Sequence, residues 1–203
     1  MKNSLLSGIL GGFMILGPHT ASSHIVMADG EARAGYQEVL SLVVPHGCGP
    51  NPTTEVRLKI PDGVSIAMPE DKDGWQTEVI MRELETPIPI EGGFGEMTEV
   101  VDQFVWKGGS IPVDRLGTFT FLARLPDAPG SVVYFKTIQV CGDVQEAWIE
   151  TADEGAEIYE IFMQDRPAPF VELLAPRRPQ LGLTVEEFFQ KKMESNPSGM
   201  EVQ

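Results

Sequence analysis

Three histidines, two cysteines and three tryptophans are the scarce, chemically capable residues of this 203-residue chain, and each can be asked what it could do. His24 follows "TASS" (20 to 23) at the end of an apolar run. A peptidase cut after Ser23, with Ala21 at −3 and Ser23 at −1, makes His24 the first residue and gives it a free α-amine beside its imidazole. The two nitrogens of one residue can then chelate one metal. By the Irving–Williams order such a pair favours Cu(II) over the other divalent ions. Two other cuts are open: one after Ala21 leaves a third-position histidine that also chelates Cu(II), and one after Ala28 deletes the site.

The other scarce residues support less chemistry. His46, in "PHGC", is a second candidate ligand, although a histidine in a tight loop more often hydrogen-bonds the backbone. The methionines after residue 23 are scattered, without a Met-x-x-Met cluster, and read as packing residues. No GxSxG, HExxH or CxxC occurs, and no nucleophile sits beside an activating base, so the chain is not expected to be an enzyme. Abundant carboxylates could form a glycosidase pair, but spacing alone does not reveal one.

Export fits these residues. Lys2 precedes the apolar stretch "LLSGILGGFMILG" (5 to 17), Pro18 ends it, and small residues follow, which is the layout of a signal peptide over 1–23. The stretch is shorter than the roughly 20 apolar residues of a membrane span, and no later stretch approaches that length, so an integral membrane protein is not expected. Losing Lys2 takes the formal charge from −15 to −16. A surface this acidic repels phosphate backbones, which argues against nucleic acid as a partner. In an oxidising compartment the two cysteines, Cys48 and Cys141, favour one disulfide over a zinc site, with thiolate ligation of copper as the alternative.

The elements that must position these residues read as strands. Runs such as "QEVLSLVVP", "EVRLKIP", "TEVVDQFVW" and "SVVYFKTIQVC" are rich in Val, Ile, Phe and Thr, and turn residues separate them. The pattern predicts an all-β sandwich. In "TFTFLARL", Phe119, Phe121, Ala123 and Leu125 fall on one face. Residues 83–97, with two prolines and three glycines, read as a long loop. A short helical turn is possible within 153–163. From Pro176 the composition shifts: "PRRPQ" is a linker, and "LTVEEFFQKKMES" reads as a short amphipathic helix, with Thr184 and Glu187 at capping-box spacing and Val185, Phe188 and Phe189 on one face. The residues after it read as a disordered end.

Several segments together resemble the YcnI-like family of secreted copper-binding domains. They are "SHIV" after the signal, "AGYQEVLSLVVPHGCGPNPTTEVRLKIPDGV" (34 to 64), "PEDKDGW" (69 to 75), "FVWKGGSIP" (104 to 112), "TFTFLARLP" (118 to 126) and "IQVCGDVQEAWIE" (138 to 150). The likeness spans residues 24–176 and leaves the tail 177–203 outside. It implies an Ig-like or cupredoxin-like β-sandwich holding one Cu(II) by a single-histidine brace. By position, His24 matches the histidine and Trp148 the tryptophan, whereas Trp75 and Trp106 read as core.

The resemblance also implies an acidic residue before the Phe of a "Y-D-E-F"-like stretch; here that stretch is "LGTF", with Gly117 and with Thr118 at the acidic position. Glu146 and Glu150 share a face with Trp148 if that run is a strand, and are the nearest replacements in sequence. The expectation is an exported copper carrier or metallochaperone in the bacterial periplasm, at the cell surface or secreted. Its partners would be the copper ion and a membrane copper transporter or another carrier. The alternatives are a metal-free Ig-like interaction module, and an oxidative copper enzyme that would need His46 as its second brace histidine.

Overall fold

The computed structural model describes residues 24–90, 94–153 and 155–175; the signal stretch 1–23 and the expected tail helix lie outside them. Twelve strands and one short helix follow in chain order. They are β1 (Val26–Met27), β2 (Glu31–Arg33), β3 (Gln37–Val44), β4 (Thr53–Lys59), β5 (Ala67–Pro69), β6 (Gln76–Pro89), β7 (Glu96–Ile111), β8 (Gly117–Arg124), β9 (Val132–Tyr134), β10 (Thr137–Cys141), β11 (Val144–Trp148), α1 (Ile158–Phe162) and β12 (Phe170–Leu174). A four-stranded sheet, β1-β3-β8-β5, and a five-stranded sheet, β11-β10-β4-β7-β6, form the sandwich. A small third sheet, β2-β12-β9, contains a parallel pair, β2 with β12.

Period-two alternation explains the core. The expected face of β8 is inward, with Phe119, Phe121 and Ala123 all buried, and Leu125 just beyond it is buried too. Leu40, Leu42 and Val44 of β3 and Val56 and Leu58 of β4 are likewise buried, together with Phe104 and Trp106 of β7. Phe104, Phe121 and Phe135 stack edge-on through the middle, an arrangement aromatic quadrupoles favour. Trp106 is core as expected and donates its indole N–H to Glu70 O at 3.2 Å. Trp75 is partly buried, packs against the core and meets Phe119 edge-on.

One expectation is corrected. Residues 83–97 are not a long loop: β6 runs on through Pro89, and β7 begins at Glu96 and pairs back with it. The prolines are tolerated because β6 is the edge of its sheet, where an absent N–H breaks no central ladder. The register also jumps between Glu83 and Ile88, so Pro87 sits in an irregularity rather than in a regular pair. The helical turn within 153–163 is α1.

Cys48 and Cys141 are disulfide-bonded, with Cα atoms 5.9 Å apart across a sequence separation of 93. The bridge ties the loop after β3 to the end of β10, and so joins the two sheets. Among the described residues, no helix is long and apolar enough to cross a membrane.

Candidate metal centre

His24 stands two residues before the first ladder pair, Val26 with Val43, on the edge strand of the four-stranded sheet. Trp148 closes β11, the edge strand of the five-stranded sheet. The sandwich brings these two edges together: the imidazole and indole centroids lie 5.8 Å apart, with the ring planes tilted by 55°. His24 is partly buried and Trp148 is 4% exposed, so Trp148 is both a core residue and the wall facing His24.

Trp148 is held from behind. Its indole N–H donates to Gln139 Oε1 at 3.2 Å, and Gln139 Nε2 donates to His46 O and Thr53 Oγ1, each at 2.7 Å. Thr53 Oγ1 in turn lies 3.8 Å from Cys141 Sγ. A buried polar chain therefore runs from the disulfide to Trp148 through Gln139, which is 1% exposed. It satisfies groups that would otherwise be costly to bury. It also inverts the pattern of β10: Thr137, Gln139 and Cys141 point inward, while Ile138 and Val140 are only partly buried.

The other candidates separate into different roles. His46 lies at the same end of the β1–β3 ladder as His24, but its ring Nδ1 is 2.5 Å from Gly47 O, within its own loop. Thr118 lies opposite Val43, on the row that continues to Val26, and its side chain is exposed. At Gly117 a Cβ would meet Ile111 Cδ1 at 2.2 Å, so Ile111 fills the space that a side chain there would need.

Both carboxylates near Trp148 are engaged by one residue that sequence reasoning missed. Glu146 is ion-paired with Arg166, and Glu150 Oε2 accepts the backbone N–H of Arg166 at 2.9 Å. Glu150 lies beyond the end of β11 and bridges to Pro167. The Arg166 guanidinium also stands 5.8 Å from the Trp148 ring centroid, a cation–π distance. A signal was available: Arg166 is the lone Lys or Arg in residues 137–176, among nine acidic residues.

Beside His24 lies a crevice of about 40 Å³, lined by Met27, Phe162, Pro167 and Phe170 among others. That is room for a water or an ion and far below the size of an organic ligand site. Among the described residues, no three His, Cys, Asp or Glu side chains cluster as a metal cage. Trp148 does not line this crevice, so a metal there would depend on the His24 imidazole, and on its α-amine if the chain began at His24. On the side of His24 that faces Trp148 the donors would again be those of His24 alone, a set that one small ion fits.

A family model described as "Domain of unknown function (DUF1775)" matches residues 24–173. The chain belongs to the DUF1775 family. DUF1775 is the domain of the YcnI-like proteins that the quoted segments resemble. An uncharacterized protein from Nocardia farcinica, whose crystal structure is described as revealing an immunoglobulin-like fold, is similar to this DUF1775 chain at TM-score 0.53 and 22% identity. The match covers 74% of this chain and 98% of that one, and it shows an Ig-like fold. Among curated proteins, none matches.

Proposed function

We propose that the protein is exported, is cut before His24, and carries Cu(II) between partners without transforming a substrate. The observation that supports this most is the pairing of His24 with Trp148 across the two sheet edges. The α-amine and imidazole of His24 would hold the ion, and the indole ring would wall it. A site this open at its ligand set suits transfer to a membrane copper transporter or another carrier. Cu(II) titration of protein purified from the exported fraction, with its N-terminus sequenced, tests the reading. One equivalent bound by a chain beginning at His24 supports it, and no stoichiometric binding refutes it.

One observation favours the metal-free alternative, an Ig-like interaction module: a guanidinium already stands over Trp148. The same titration separates the two readings.

A further inference from the structure

We infer that Arg166 is a built-in cation that copper must displace, and that Glu146 is the carboxylate it then surrenders to the metal. The inference rests on the copper reading above.

Glu146 and Trp148 are two residues apart on β11 and so project to the same face. Directly opposite Glu146 is Gln139, the residue that holds the Trp148 indole. Glu146 is thus the carboxylate that the sheet itself places beside the tryptophan. Its side chain is 24% exposed and is paired with Arg166, whose own side chain is 46% exposed. A pair this exposed holds weakly and can be exchanged.

Arg166 does not need that pair to stay in place. Its backbone N–H is fixed to Glu150 Oε2, its carbonyl accepts the Glu150 N–H at 3.1 Å, and Ala168 N–H donates to Glu150 O at 2.8 Å. The main chain is thus anchored independently of the guanidinium. The side chain serves two anionic features at once, the Glu146 carboxylate and the π-face of Trp148. A divalent ion bound by His24 competes for both. Glu146 is the carboxylate already beside the tryptophan.

The test uses the mature full chain beginning at His24, titrated with Cu(II) alone against a competing chelator and followed by tryptophan fluorescence and electron paramagnetic resonance. Thermal melts check that each variant folds. Arg166→Gln should tighten Cu(II) binding by roughly two- to fivefold, the scale set by a partly exposed ion pair. Glu146→Gln should weaken it by about tenfold and change the Cu(II) spectrum, and the double variant should lose the gain of Arg166→Gln. Arg166→Lys should stay close to the native affinity, because the competing charge remains.

Native protein that binds through His24 while Arg166→Gln and Glu146→Gln leave affinity and spectrum unchanged overturns this inference and spares the copper reading. If neither the native chain nor Arg166→Gln binds Cu(II), both fall together. Stoichiometric binding by the native chain that Arg166→Gln tightens and Glu146→Gln weakens supports both.

Discussion

Gln139 Oε1 accepts the one N–H that the Trp148 indole can donate, at 3.2 Å. What Trp148 presents to His24 is therefore its ring, held at an angle by a residue with no exposure of its own to speak of. Such outer partners commonly fix the residues around a metal and change its affinity when removed.

Gln139→Leu should expose this dependence. It leaves Trp148 Nε1 without its acceptor and takes one partner each from His46 O and Thr53 Oγ1, which still meet each other at 3.5 Å. Buried unpaired groups cost about 1–3 kcal/mol each, and with relaxation the expected loss is about 2–4 kcal/mol. A chemical-denaturation curve reads it, and a shift in the Trp148 emission should accompany it.

Trp148→Phe keeps a ring in the core but loses the N–H. The apoprotein should stay folded, at a cost of about 1–3 kcal/mol for the orphaned Gln139 carbonyl. Of the three tryptophans, Trp148 is the one in ring contact with His24. Cu(II) quenching of tryptophan emission should therefore nearly vanish in this variant, although Trp75 and Trp106 remain. Persistent quenching would place the ion elsewhere.

Gly117→Ala should be destabilising, because its Cβ falls 2.2 Å from Ile111 Cδ1. Overpacking of this kind costs about 1–3 kcal/mol. Ile111→Val in the same chain removes that methyl and should recover part of the loss. Recovery would show that Ile111 fills the space beside Gly117. An undamaged Gly117→Ala protein would contradict it.

Breaking the Cys48–Cys141 bridge removes a constraint on a loop of sequence separation 93. The chain-entropy estimate for that length is about 4 kcal/mol. Cys48→Ala/Cys141→Ala should melt well below the native protein, and denatured, unreduced native protein should show no free thiol. Because the polar chain to Trp148 starts beside Cys141, the double variant should also alter Trp148 emission.

Much of the sandwich was legible in the residues because one-sided burial imposes a period of two, as Phe119, Phe121 and Ala123 show. Pro87 and Pro89 misled, since a proline's lost N–H matters only where a neighbour needs it, and strand order is a long-range property. His24 was legible from its place after small residues. Gln139 was not, because an inward-facing glutamine in a strand breaks the apolar pattern on which such reading depends. Arg166 was hidden for a different reason: it stands 18 positions after Trp148, and no periodicity connects them. Only the return of the chain through Glu150 and Pro167 does.

The proposed brace is made by cleavage before His24, since only a chain that begins there has the α-amine as a ligand. The most direct measurement compares Cu(II) affinity of the mature chain, the same chain with one glycine prepended, and His24→Ala. A single added residue turns the amine into an amide, which binds copper only after losing a far less acidic proton. The glycine-extended protein should therefore lose as much affinity as His24→Ala, at least about tenfold or 1.4 kcal/mol, while its melting temperature stays native. If it binds Cu(II) as tightly as the mature chain, the α-amine is not a ligand and the account is contradicted.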